Sequence, residues 1–123
     1  MMIEPSAVVL YADNLTISSQ FYHDLLGIKP VDASPTFTSF ILSNGMGLGL
    51  KAKHAVEPPA DEQGSGELAF TLDNHKKVDA LFAEWQNKGI KIAQHPTVVS
   101  YGYTFVALDP DNNRLRVVTL GSS

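Results

Sequence analysis

The 123-residue chain has no cysteine, few basic residues and no long apolar run. Without cysteine, a disulfide framework and thiolate chemistry are both excluded. Nine Lys and Arg, scattered along the sequence against 13 Asp and Glu, provide no basic stripe for nucleic-acid phosphates. No apolar run approaches the roughly 20 residues of a membrane-spanning helix, and no charged leader precedes an apolar signal core. We therefore expect a cytoplasmic protein with neither a nucleic-acid nor a membrane partner.

What the chain does contain is an internal repeat. The segment Val8–Asn14 returns as Leu68–Asn74, and each copy is followed by an amphipathic stretch and a Gly-Ile-Lys triplet, beginning at Gly27 and Gly89. At 123 residues and 44% hydrophobic content, the chain is long enough for one well-packed domain and too short for two independent ones. We therefore predict a single domain over residues 1–123, with module one at about 5–52, a polar linker at 53–66 and module two at about 67–120.

Each module contains one stretch with helical periodicity. In module two, four apolar residues have the i, i+3, i+4, i+7 spacing that places them on one face of a helix. A stripe with a spacing of four marks the helix of module one. Asparagines are positioned to cap both helices at their N-termini, and glycines to end them in a left-handed conformation. The residues are Ile17, Phe21 and Leu25, joined by Tyr22 and Leu26, in the first stripe, Val78, Leu81, Phe82 and Trp85 in the second, Asn14 and Asn74 as caps, and Gly27 and Gly89 as ends.

Alternating or short apolar runs between turn residues predict the strands, which gives each module the order βαβββ. Alternation within a strand assigns its side chains to two faces, so that Phe70 lies beneath the helix while Glu67, and Tyr11 in the first strand, face the other way. A sheet with helices on one face is expected to curve around a cavity on the other, and this cavity is the expected functional site. The strands are predicted near residues 6–12, 28–33, 37–43, 46–51, 67–72, 91–99, 103–108 and 114–119.

Together with the two βαβββ modules, two segments resemble the vicinal oxygen chelate superfamily, which includes glyoxalase I, extradiol dioxygenases, fosfomycin resistance enzymes and bleomycin resistance proteins. One segment runs from Asn14 through Tyr22 to Gly27, and the other is Asp109–Leu115. Asn14 stands where the family usually has Asp, and Asn112 where it usually has Gly. The resemblance implies an α+β fold in which two βαβββ modules form a curved, mostly antiparallel sheet around a cavity, with helices on the outer face.

Catalytic members of the superfamily hold a divalent metal through His, Glu or Gln at four positions. Carried onto this sequence, those positions are Ala7, Gly49, Glu67 and Arg116. Only Glu67 can ligate a metal, whereas a catalytic zinc or iron needs about three protein ligands, and Arg116 would repel the cation. The resemblance therefore implies a chain with no metal, no other cofactor and no catalytic residue.

We expect Glu67 and Arg116 to lie on adjacent strands and to pair, because an isolated charge in a cavity is costly. The pair is either a structural salt bridge or a recognition site in which Arg116 binds a carboxylate or phosphate oxygen of a ligand. Four aromatic residues, and one glycine that leaves room on the cavity floor, complete the predicted ligand-binding set: Tyr11, Phe40, Tyr101, Tyr103 and Gly49. The histidines lack metal-ligand spacing and are expected at the surface: His23, His54, His75 and His95.

Three functions remain open on this sequence. The first is a metal-independent binding protein that resembles the bleomycin resistance proteins, forms a homodimer and sequesters a hydrophobic or aromatic small molecule between its modules. The second is a glyoxalase- or dioxygenase-like enzyme, with non-standard metal ligands or with Glu67 as a general base if Arg116 does not neutralise it. The third is an interaction module without a small-molecule site. The first is our working hypothesis, because three of the four metal-ligand positions cannot bind a metal.

Overall fold

The computed structural model describes residues 5–56 and 66–121, and the chain divides into two compact units, Met1–Gln63 (unit 1) and Gly64–Ser123 (unit 2). Both units have the predicted order βαβββ. The predicted linker 53–66 begins with a short 3-10 helix, Lys53–Ala55, and its residues 57–65 lie outside the described residues. Unit 1 contains β1 (Ala7–Ala12), α1 (Leu15–Leu26), β2 (Asp32–Ala33), β3 (Phe37–Ile41) and β4 (Gly47–Ala52), and unit 2 contains β5 (Glu67–Thr71), α2 (His75–Asn87), β6 (Ile92–Val99), β7 (Gly102–Leu108) and β8 (Arg114–Leu120).

Each unit forms its own four-stranded mixed sheet. The strand orders are β1-β4-β3-β2 in unit 1 and β5-β8-β7-β6 in unit 2. The first strand of each unit pairs in parallel with the last strand, and the other neighbouring pairs are antiparallel. The α+β class and the mostly antiparallel pairing are therefore as predicted. Among the described residues, the strands form two four-stranded sheets, one in each unit.

Both helices begin directly after the predicted caps; α1 ends directly before the predicted Gly27, whereas α2 ends two residues before the predicted Gly89. Asn14 and Asn74 each accept, through Oδ1, a hydrogen bond from the backbone amide three residues further along, at 3.1 and 2.9 Å. Gly27 follows α1 with a φ of 69°, and Gly89, two residues beyond α2, has a φ of 79°. Polar capping at the start and a left-handed glycine after the end are local devices, which is why the sequence alone reveals them.

Replacing Asn74 with alanine is expected to lower the free energy of unfolding by about 1 kcal/mol. The reason is that an amide in the first turn of α2 loses its hydrogen-bond acceptor. Asn74→Ser retains an acceptor at the same place and should keep most of that stability. Urea unfolding followed by circular dichroism measures both variants, and an equal loss in the two would show that the side-chain hydrogen bond is not the cause.

The apolar stripe of α2 packs against the sheet of unit 2. Val78 and Trp85 are buried, and the Trp85 ring meets Phe70 of β5 and Phe105 of β7 edge-on, with centroid distances of 5.7 and 5.5 Å. Phe70 and Phe105 therefore lie on the face of the sheet that carries the helix, which we call the helix face. The opposite side of each sheet is called the helix-free face. The prediction that Trp85 belongs to the core is confirmed.

The orientation of α1 differs from the prediction. Ser18 and Tyr22, one turn apart, are the buried residues of this helix, and Ile17 is 56% exposed. Successive residues are about 100° apart around a helix, so a helix that turns Ser18 toward the sheet turns Ile17 away from it. The small Ser18 side chain suits close packing, a preference that a count of apolar residues does not detect. The prediction that Ile17 belongs to the core stripe is therefore wrong.

Strand faces follow the predicted alternation. In β1, Leu10 and Ala12 are buried, whereas Val9 and Tyr11 are 46% and 43% exposed. In β8, Leu115 and Val117 are fully buried on the helix face. A strand shows side chains alternately on its two faces, so the intervening residues of β1 and β8 belong to the helix-free faces. These are the faces on which we expect ligand-binding residues.

Candidate ligand-binding site

The charged residues of the helix-free face of unit 2 are brought together by the pairing of β5 with β8. The two strands are parallel, and Ala69, two residues after Glu67, lies opposite Arg116. Glu67 and Arg116 therefore project from the same face of neighbouring strands. Arg116 Nε donates to Glu67 Oε1 at 3.3 Å. The Arg116 side chain is 19% exposed, and that of Glu67 is 42% exposed. The predicted ion pair is confirmed.

A third residue, Thr104 of β7, holds the other end of the guanidinium. Arg116 Nη1 donates to Thr104 Oγ1 at 3.2 Å. The Thr104 hydroxyl in turn donates to the Val117 carbonyl at 2.7 Å, and its side chain is fully buried. Because the hydroxyl proton is used by Val117, the oxygen is left to accept from Arg116. The guanidinium is thus fixed by two contacts, one charged and one neutral.

The four positions that bind a metal in catalytic relatives do not fit a metal in this chain. Ala7 and Gly49, both in unit 1, have no donor atom in their side chains, and in unit 2 the Glu67 carboxylate is engaged by Arg116. Elsewhere in residues 5–56 and 66–121, no three His, Asp or Glu side chains lie close enough together to hold a metal ion. The condition for Glu67 to act as a general base, that Arg116 does not neutralise it, is not met either.

The helix-free face of unit 1 carries apolar and aromatic side chains together with two charged ones, Lys51 and Asp32. Val9, Tyr11 and Ile41 lie on it and are 46%, 43% and 51% exposed. The Phe37 ring lies over Gly49: a Cβ atom at Gly49 would come within 2.6 Å of Phe37 Cζ and 3.4 Å of Val9 Cγ2. Gly49 therefore makes room for an aromatic ring of its own chain. The expectation that it leaves an open cavity floor is wrong.

Phe40, which the sequence suggests as a ligand contact, lies on the helix face of unit 1. Its side chain is fully buried, and it pairs with the buried Leu48 of β4. Thr38, two residues earlier on the same face, makes a 2.8 Å hydrogen bond to Ser19 of α1. Phe40 is therefore a core residue. Phe37, whose ring covers Gly49, is the aromatic residue of β3 that lies on the helix-free face.

Tyr103 likewise lies on the helix face of unit 2. Its hydroxyl donates to Asp79 Oδ1 of α2 at 2.6 Å, and its ring stacks on His75 with a centroid distance of 4.3 Å. The hydrogen bond to the Asp79 carboxylate raises the pKa of the Tyr103 phenol. Tyr103 is therefore a link between sheet and helix, and it does not share a face with Arg116. Tyr101, by contrast, is exposed in the turn between β6 and β7.

The histidines are only partly at the surface. His54 and His95 are exposed, as expected. His75 is half-buried under the Tyr103 ring, and its Nε2 atom is buried without a hydrogen-bond partner in the described part of the chain. His23 is half-buried beside a cavity of about 330 Å³ between α1 and residues 30–38. This cavity lies within unit 1, on the helix side of its sheet, and none of the predicted ligand-binding residues lines it.

The sequence contains part of the information that places Thr104 and Phe37 on the helix-free faces. Thr104 pairs with Val118, which lies on the helix-free face of unit 2. Ser39 pairs with Gly49, and Phe37, two residues before Ser39, lies on the same helix-free face of unit 1. Alternation alone leaves two possible faces for every strand.

Among the described residues, neither helix has the length and apolarity that spanning a bilayer requires.

Comparisons with known proteins place this architecture in a family. The family model of the glyoxalase/bleomycin resistance protein/dioxygenase superfamily matches residues 5–117. A phenazine antibiotic resistance protein, EhpR of Enterobacter agglomerans, is 30% identical over 121 residues, which cover 96% of this chain and 93% of EhpR. The solution structure of protein ATC0852 from Agrobacterium tumefaciens is 49% identical, with a TM-score of 0.91 over 98% of this chain and 99% of that one.

A more distant structure has the same fold. Lactoylglutathione lyase from Agrobacterium tumefaciens has a TM-score of 0.78 at 23% identity, over 94% of this chain and 92% of that one. At this level of identity the likeness concerns the fold alone. The family match and the EhpR alignment each extend over nearly all of the chain. The chain belongs to the glyoxalase/bleomycin resistance protein/dioxygenase superfamily.

Proposed function

We propose that this chain is a metal-independent binding protein that sequesters a planar aromatic small molecule, of the phenazine type, without altering it chemically. It works as a homodimer in the cytoplasm. The choice of ligand class is supported by the name of the relative EhpR, a phenazine antibiotic resistance protein that aligns over 96% of this chain. Sequestration lowers the free concentration of a toxic molecule, so it requires affinity but no chemistry.

The observation that carries this proposal is the ion pair at the positions of two metal ligands. Glu67 and Arg116 bond to each other at 3.3 Å, and their counterparts in unit 1 are Ala7 and Gly49. Metal catalysis in this superfamily needs about three oxygen or nitrogen ligands, and this set supplies one, which is already paired. The donor set therefore favours binding over metal-dependent catalysis.

The exposed apolar side chains on the helix-free face of unit 1 support an aromatic ligand. Val9, Tyr11 and Ile41 leave about half of their surfaces exposed, between 43% and 51%. Exposed aromatic and aliphatic side chains on a sheet gain free energy by covering a flat apolar molecule, and Tyr11 offers a ring for stacking. The same exposure supports association of two copies, which sedimentation velocity tests directly: a monomer at micromolar concentration would contradict the homodimer.

Isothermal titration calorimetry with phenazine tests the function. The wild-type protein is expected to bind phenazine, to do so equally well in EDTA, and to release it unchanged on denaturation and chromatography. Tyr11→Ala is expected to weaken binding about tenfold, because the stacking ring is lost, whereas Tyr11→Phe keeps the ring and should bind within about twofold of wild type. Ile17→Ala is the control, because Ile17 is also exposed but lies on α1.

Three outcomes would overturn the proposal. Absence of phenazine binding by the wild-type protein would remove the ligand class, and recovery of a chemically altered phenazine would replace binding with catalysis. Loss of binding in EDTA, restored by zinc or iron, would favour an enzyme with non-standard metal ligands. An equal effect of Tyr11→Ala and Ile17→Ala on affinity would show that the ligand does not bind to the helix-free face of unit 1.

A further inference from the structure

We infer that the ligand is an aromatic acid, and that Arg116 binds its carboxylate through N–H groups that Glu67 and Thr104 leave free. This inference rests on the proposed function, because it names the chemical class of the molecule bound. It assigns to Arg116 a role in selecting the ligand, beyond that of a structural partner of Glu67.

Arg116 has more hydrogen-bond donors than its two protein partners use. A guanidinium has five N–H groups. One of them, on Nε, is used by Glu67, and one on Nη1 is used by Thr104. The remaining three, which include both on Nη2, make no hydrogen bond to the described residues. Two adjacent N–H groups of a guanidinium match the two oxygens of a carboxylate.

The Arg116 guanidinium is held in place before a ligand arrives. The Arg116 side chain is only 19% exposed, and its two contacts come from different neighbouring strands, β5 and β7. A side chain fixed in this way loses little conformational entropy on binding. Water competes less well for a partly buried donor than for one at the surface, so each contact to an anion gains strength.

The charges of the sheet in unit 2 also favour an anionic ligand. Its four strands, all of them described, contain Glu67, Arg114 and Arg116 as the complete set of Asp, Glu, Lys and Arg residues. All three belong to the helix-free face, since they alternate with Leu68 and Leu115 of the helix face. This face carries one more positive than negative charge, in a chain whose formal net charge is −4. Such a local excess favours an anionic partner over a neutral or cationic one.

The experiment compares two ligands that differ in one group, phenazine and phenazine-1-carboxylate, by titration calorimetry at pH 7.5. Wild-type protein is expected to bind the carboxylate at least tenfold more tightly than phenazine. Arg116→Gln should abolish that preference, and urea unfolding followed by circular dichroism shows independently that the variant is folded. Arg116→Lys keeps the charge without the planar fork and should retain a preference of about threefold.

Arg114→Gln is the matched control, because Arg114 lies on the same strand and face two residues earlier and is exposed. The Arg114→Gln variant should keep at least half of the wild-type preference for phenazine-1-carboxylate over phenazine. If the wild type binds both compounds equally, or if the preference survives Arg116→Gln, the inference is wrong while the proposed function stands. If neither compound binds, the proposed function fails together with it. An equal loss in Arg114→Gln and Arg116→Gln would reduce the effect to general charge and overturn the assignment of Arg116.

Discussion

Gly102→Ala is expected to destabilise unit 2 by about 3–5 kcal/mol, more than the other substitutions proposed. Gly102 has a φ of 153°, and a Cβ atom built on it would overlap the carbonyl oxygen of Thr119 and lie 3.0 Å from its carbonyl carbon. The obstacle is backbone, which cannot rotate away as a side chain can. Gly102 also pairs with Val99 on one side and Leu120 on the other, so a shift would disturb both ladders.

The matched control for this variant is Gly89→Ala. Gly89 also has a positive φ, 79°, but a Cβ atom there would meet nothing within 4 Å. Its replacement incurs only the strain of a left-handed alanine, about 1 kcal/mol. Urea unfolding monitored by Trp85 fluorescence gives both values, because Trp85 packs in the core of the same unit. A loss at Gly102 no larger than the loss at Gly89 would show that the sheet can accommodate the added methyl group.

Asp109→Ala is expected to lower the free energy of unfolding by about 3 kcal/mol. The Asp109 side chain organises the turn between β7 and β8: Oδ1 accepts from the amides of Asp111 and Asn113 at 2.9 and 2.8 Å, and Oδ2 accepts from Asn113 Nδ2 at 2.9 Å. Asp109 is only 5% exposed, so alanine would leave buried donors without an acceptor. The cost of such unpaired groups exceeds the net gain from making an ordinary hydrogen bond.

The same turn connects the two strands that carry the candidate site. Asn113 Oδ1 accepts from the amide of Gly66 at 3.2 Å, and the amide of Arg114 donates to the Gly66 carbonyl at 2.9 Å. These bonds fix the start of β5, at Glu67, beside the start of β8, and Arg116 lies two residues along β8. Asp109→Asn, which keeps one carboxamide oxygen at the position of Oδ1, should lose roughly half as much stability as Asp109→Ala. Thermal and urea unfolding compare the two, and equal losses would assign the effect to charge.

Asn112 explains how this turn departs from the usual family sequence without changing shape. Its φ is 66°, the left-handed conformation that the glycine usual at this position adopts without strain. Asparagine is among the non-glycine residues that adopt this conformation most readily. The turn therefore keeps its geometry. At the other departure, Asn14 caps α1 through its side-chain oxygen, as the more usual Asp would.

Features that depend on near neighbours in the sequence could be predicted without the structure. The helix caps at Asn14 and Asn74 are of this kind, as is the α2 stripe that buries Trp85. The pairing of Glu67 with Arg116 could be predicted because the internal repeat and the family resemblance together specify which strands are neighbours, and because opposite charges on one sheet face attract. The family and the α+β class follow from the same evidence.

The sequence by itself determined the two βαβββ units, their caps and turns, and the absence of a metal-ligand set at Ala7, Gly49 and Arg116. Only the tertiary structure decided which way Ile17 turns, that Phe37 covers Gly49, that Thr104 holds the Arg116 guanidinium, and that Phe40 and Tyr103 belong to helix faces. The physical reason is that helix rotation and strand register are set by packing between distant segments. A shift of one residue in either moves a side chain to the opposite face, although local propensities are unchanged.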